Sequence, residues 1–134
     1  ASPAYLAEHG HPTHPAHLSA HHCMGYAYRS RRDVWRFTNA EGREITVAPS
    51  GPLSVTNVDA LIPTILEGLG VAELPDFIAK EYIADGRLIN LLPDWSLPKG
   101  ALYFVTPTAR SRPAKIDALA EFLFARLSNP DWLG

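Results

Sequence analysis

Two rhythms of apolar and polar positions run along this chain, and the changes between them mark its elements. Alternation of period two appears in residues 35–38 and 44–47, two arms that face each other across the turn Asn39-Ala40-Glu41-Gly42. Gly42 supplies the permissive backbone such a hairpin turn needs. Strand character also appears at residues 23–28, 53–55, 70–75, 88–92 and 101–105. Helical spacing takes over at Leu61, Ile62, Ile65, Leu66 and Leu69. It predicts a helix capped by Thr56 or Asn57, with Asp59 in its first turn and Gly68 and Gly70 at its end. Pro63 fits that helix only if it starts late, near Asp59, or bends.

Further helices are predicted over residues 77–83, closed by Asp85 and Gly86, and over 113–127, with Ile116, Leu119, Ala120, Leu123 and Leu127 on one stripe. At the start of the chain Ser2 is placed as an N-cap and Pro3 as a first helical residue, for a short helix to about Glu8 that stops at Gly10. Residues 11–20 read as a loop with one helical turn near 15–19. Residues 93–99 read as a loop, and 93–100 is the candidate boundary between lobes. Strands alternating with helices imply an α/β protein, and the hairpin adds antiparallel pairing, so a mixed sheet flanked by helices is expected.

Composition narrows the function. The chain has 134 residues, of which 46% are hydrophobic and 19% charged, with a net charge of −2. That is globular rather than disordered. It also argues against a nucleic-acid grip by this stretch itself, because phosphate binding needs a concentrated basic surface and Arg29, Arg31 and Arg32 are too few. A single cysteine, Cys23, excludes an internal disulfide. No apolar run reaches the ~18 residues of a membrane span, no secretory signal opens the chain, and a cytoplasmic setting is expected. Hydrolase elbows, phosphate-binding glycine loops and dinucleotide fingerprints are all missing, so no enzyme and no cofactor are expected.

Two places offer binding chemistry. Open α/β sheets bind ligands beyond the carboxyl ends of their strands, where helix N-termini present free N–H groups. The strand at 53–55 feeding a helix at Thr56, Asn57 and Val58 fits that geometry, and these residues either hold a polar ligand group or simply cap the helix. A second wall is Val34 and Trp35, with Tyr28 near the end of its strand. An indole and a phenol combine apolar area with a polar handle, although Trp35 equally suits packing of the hairpin on the core. All six histidines, His9, His11, His14, His17, His21 and His22, lie within fourteen residues beside Cys23. Their spacing matches no metal-site pattern. A solvated loop titrating near pH 6.5 is expected, with a metal-binding domain built on His9 to His22 as the alternative.

Several stretches, taken in order, carry a resemblance. They include Ala1-Ser2-Pro3-Ala4-Tyr5-Leu6, His14-Pro15 with Leu18, His21-His22-Cys23, and Tyr28 with Trp35-Arg36-Phe37. Gly51-Pro52-Leu53, Asn57-Val58-Asp59-Ala60-Leu61, Gly68-Leu69-Gly70-Val71-Ala72 and Leu74-Pro75 follow. Asp85-Gly86-Arg87-Leu88, Leu91-Leu92 with Trp95, and Pro113-Ala114-Lys115 complete the series. No one of these is specific, but their order across nearly the whole chain resembles the effector-binding domain of LysR-type bacterial transcriptional regulators. The resemblance implies a fold like type 2 periplasmic binding proteins, with residues 1–95 as the second subdomain and 96–134 as the segment returning to complete the first. It further implies a small-molecule effector in the cleft, bordered by Tyr28, Val34, Trp35, Thr56, Asn57 and Val58. A homodimer, and DNA contact only through a helix-turn-helix outside this stretch, are implied as well. A periplasmic solute-binding protein of the same fold is the other reading.

Overall fold

The first helix forms where local chemistry places it. Ser2 has extended backbone, its Oγ accepts the Tyr5 N–H at 3.3 Å, and Pro3 opens helix α1, Pro3–His9, which ends at Gly10. The structure, a computed structural model, describes residues 1–26, 34–100, 103–106 and 113–128. The chain divides into two compact units, Ala1–Pro98 and Lys99–Gly134.

In the first unit a 3-10 turn, Pro15–Ala20, follows α1 and leads to strand β1, Cys23–Tyr26. Strands β2, Trp35–Asn39, and β3, Glu44–Val47, form the expected hairpin with Trp35 opposite Val47 and Thr38 opposite Glu44. Its turn holds Gly42 at φ 78, and Asn39 Oδ1 accepts the Arg43 N–H at 2.8 Å. Strand β4, Ser54–Val55, leads through helix α2, Val58–Leu66, to strand β5, Val71–Ala72. Helix α3, Asp76–Ala84, and strand β6, Trp95–Ser96, complete the unit. Parallel and antiparallel pairing are both present, divided between two three-stranded sheets. One is parallel, in the order β4-β1-β5, and the other antiparallel, in the order β3-β2-β6.

β1 lies at the centre of the parallel sheet, and its neighbours approach it closely. A Cβ on Gly51 would collide with the Cys23 carbonyl, and one on Gly70 with the His22 carbonyl. Only glycine allows both segments to pack against this backbone. Successive residues of a strand face opposite ways, and β1 uses this to organise two cores. Cys23 enters one with Tyr5, Leu6, Leu18, Trp35, Phe37, Val47, Val71 and Leu92. Met24 enters the other with Val55, Leu61, Ile65 and Leu88.

Two expectations over residues 88–99 are corrected. Residues 88–92 do not form a strand: the Leu88 N–H turns back to Tyr82 O, the Ile89 N–H pairs with Ala1 O, and Leu92 has φ 57. A strand would send Leu88 and Leu92 to one face, whereas here they enter different cores. The strand falls instead at Trp95 and Ser96, within the segment expected to be a loop, where it pairs with Asn39 and Thr38 of β2.

In the second unit helix α4, Ala114–Leu127, matches the expected span. Ile116, Ala120, Leu123 and Leu127 of the expected stripe are half-buried and Leu119 is exposed. The strand expected at 101–105 is not present in its described part. Residues 103–105 carry no strand, and Tyr103 and Val105 are both 84% exposed. A strand exists through its ladder, and among the described residues nothing pairs with this segment. Residues 101 and 102 lie outside the described residues.

Candidate effector-binding site

The parallel register sets the first wall. Gly25 pairs with Ser54 and Tyr26 with Val55, so the carboxyl end of β4 lies beside Tyr26 of β1. The chain from β4 enters α2 there. Asn57 has extended backbone, φ −144 and ψ 160, and its Oδ1 accepts the Ala60 N–H at 3.0 Å. The amides of Val58 and Asp59, in the first turn, have no acceptor within the helix. Thr56 and Asn57 are exposed and Val58 is half-buried. The Asn57 side-chain amide is turned to capping through its oxygen only, so its N–H₂ group remains a donor. Pro63 sits inside α2 and removes the bond its N–H would give to Asp59 O, while Thr64 Oγ1 donates to Ala60 O at 2.7 Å. The helix thus starts close to Asp59, as a proline at this position requires, and Leu61 and Ile65 anchor it in the core.

The second wall is placed differently. Trp35 is 5% exposed and meets Phe37 edge-on, with ring centroids 6.5 Å apart, inside the core that also holds Cys23. Val34 beside it is half-buried. Tyr28 lies outside the described residues, as does the arginine cluster at 29, 31 and 32. The structure therefore brings Thr56, Asn57 and Val58 together at one helix start and places the Trp35 ring in the other core.

His9, His11, His17 and His22 are exposed, as a solvated loop requires, whereas His14 is half-buried and His21 departs from that expectation. His21 is buried, with Nδ1 3.2 Å from Tyr5 Oη, and burial together with His9, His17 and His22 pushes its pKa below 6.5. His14 Nδ1 accepts the Ala16 N–H at the start of the 3-10 turn, His17 Nδ1 accepts the Thr13 N–H, and the His9 ring stacks on Tyr5 at 4.2 Å. Among the described residues no three histidine, cysteine or acidic side chains are grouped to hold a metal ion. Cys23 is buried core; burial pushes its thiol up to about 11, and it donates to Leu18 O at 3.4 Å. Sequence reasoning also missed a hollow of about 300 Å³ bounded by His11, Pro12, Thr13 and residues 90–95. Leu92 shapes one side of it with a left-handed backbone that no residue preference announces.

A family model described as the LysR substrate binding domain matches residues 1–128. The chain belongs to the LysR family. The transcriptional regulator PtxR of Pseudomonas aeruginosa is 37% identical to it over 123 residues, which cover 92% of this chain and 39% of PtxR. CrgA of Neisseria meningitidis is 31% identical over 133 residues, 96% of this chain and 43% of CrgA. This LysR domain thus spans about two fifths of the length of the curated relatives it matches. Among solved structures, the regulatory domain of an AphB variant from Vibrio vulnificus superimposes with a TM-score of 0.72 at 28% identity, covering 93% of this chain and 65% of that one. The α/β fold is that of LysR-type regulatory domains, which resemble type 2 periplasmic binding proteins, and the family is one of transcriptional regulators rather than enzymes. No helix among the described residues is long and apolar enough to cross a membrane.

Proposed function

We propose that this LysR domain senses a small organic effector, held at the start of α2, and passes the binding event to a DNA-bound regulator. The observation carrying the proposal is the register of β1 and β4. It sets β4 parallel to β1 and delivers Thr56, Asn57 and Val58 to the carboxyl end of β4, where open α/β sheets bind ligands. The free amides of the first turn and the Asn57 N–H₂ suit a carboxylate or carbonyl oxygen. In this reading Val34 and Trp35, with Tyr28, border the same effector.

In this reading residues 1–95 form the second subdomain and residues 96–134 return to complete the first, which supplies the opposite side of the cleft. The regulator works as a homodimer in the cytoplasm and contacts DNA through a helix-turn-helix outside this chain. An effector that closes the cleft must bind one arrangement better than the other, since equal binding shifts nothing.

The test is a thermal-shift and calorimetric screen of aromatic and aliphatic carboxylic acids against the domain joined to its first subdomain. Asn57→Asp keeps a capping oxygen but replaces the N–H₂ donor with negative charge. Binding lost in Asn57→Asp at unchanged melting temperature supports the site. An acid that binds the variant and the parent chain equally well moves the effector elsewhere.

A further inference from the structure

One buried polar group outside the effector site is built so that a proton disrupts it. Tyr5, on α1, is 1% exposed, and its Oη accepts the backbone N–H of His22 at 3.0 Å while lying 3.2 Å from Nδ1 of His21. A phenol carries one hydrogen. With the His22 amide donating to the oxygen, that hydrogen goes to His21 Nδ1, which must then be the unprotonated nitrogen of a neutral ring. His21, 8% exposed, ends the 3-10 turn, and its own N–H donates to Leu18 O at 3.1 Å. Two side chains and one backbone amide thereby tie α1 to the residue just before the central strand.

We propose that Tyr5, His21 and His22 form an acid-operated latch, closed at neutral pH and opened by a proton on His21. Protonation turns Nδ1 from acceptor to donor. Tyr5 Oη then faces two donors, and its own hydrogen is left without an acceptor in a buried place, which disfavours the closed arrangement.

The surroundings do not stabilise the new charge. His9 of α1 stacks on Tyr5, His17 lies in the 3-10 turn, and His22 stands at the head of β1. All three act on His21 with the same sign as its own charge, so burial and these neighbours together hold it neutral. His21 therefore takes up its proton at a lower pH than an ordinary histidine. Because β1 is the middle strand of the parallel sheet, loosening its head reaches both of its partners. The latch stands independently of the effector proposal.

Nuclear magnetic resonance of the 134-residue chain tests it, following the His21 ring signals and the hydrogen exchange of the His22 amide from pH 7.5 downward. We expect His21 to titrate below 6.5. Over the same range the His22 protection factor, corrected for the intrinsic pH dependence of exchange, should fall by up to about tenfold per pH unit. His21→Asn offers an acceptor that does not titrate and should flatten the change. Tyr5→Phe should leave the amide unprotected at every pH. His9→Gln should raise the His21 midpoint without abolishing the opening. A His21 midpoint at or above 6.5, or His22 protection that ignores His21 titration in the unaltered chain, overturns the latch. An identical pH profile in His21→Asn does so as well.

Discussion

The two cores on either side of β1 are built by different means. On the Cys23 side, α1, the 3-10 turn and the hairpin converge on Tyr5, Leu6, Leu18, Trp35 and Phe37, and polar groups are buried with them. Ser2 and His21 are both buried, and each is bonded to Tyr5. On the Met24 side the core is α2 against the parallel strands, and its buried members, Met24, Val55, Leu61, Ile65 and Leu88, carry no side-chain hydrogen bond donor. Polar groups on that side lie at its margin, at the exposed start of α2 and where Arg87 pairs with Asp85 and covers the Tyr82 ring. The difference separates tasks: one core fixes geometry through directional bonds, while the other relies on apolar area and keeps polar groups out of its buried centre.

The sharpest way to break this comparison is to empty each core in turn. Trp35→Ala should destabilise the chain by about 3–5 kcal/mol, and Leu61→Ala by about 2–5 kcal/mol, in urea unfolding. If Trp35→Ala left stability unchanged, the indole would have to be a ligand wall rather than core. Next, Gly70→Ala forces a methyl group onto the His22 carbonyl. It should cost about 1–3 kcal/mol or more, and a smaller loss would mean that β1 and its neighbour yield easily.

Acid should separate the two sides. His21 has its pKa lowered in the fold, mainly by burial, so the unfolded chain binds its proton first. Stability should therefore be full above 6.5 and decline as pH falls from there through the folded midpoint. His21→Asn should lack that part of the decline when both proteins are followed by thermal unfolding. The smallest effect is at the site: Asn57→Ala should cost about 1 kcal/mol through the lost cap, and Asn57→Asp only a few tenths. Equal losses in the two variants would show that Asn57 matters for more than its oxygen.

Local signals were legible wherever one residue acts on its own backbone. Ser2 and Pro3 announced α1, Gly42 the hairpin turn, and Asn57 the start of α2, because caps and turns are satisfied within a few residues. The family, too, could be read from motif order. Legibility failed where the partner is distant. His21 looked like one of six equivalent histidines, yet its bond to Tyr5 spans sixteen residues. Residues 88–92 looked like a strand because Leu88 and Leu92 are apolar, but the left-handed turn at Leu92 sends them to different cores.

By itself, then, the sequence determined the helices and their caps, the hairpin and its register, the α/β class and the family. These rest on interactions between near neighbours or on patterns that repeat along the chain. Tertiary structure alone decided that the pairing divides into two sheets, and that Trp35 and Asn57 serve different cores. It also decided that one histidine among six is buried against a tyrosine. A residue's type states which bonds it is able to make, and only the fold decides which partners arrive to make them.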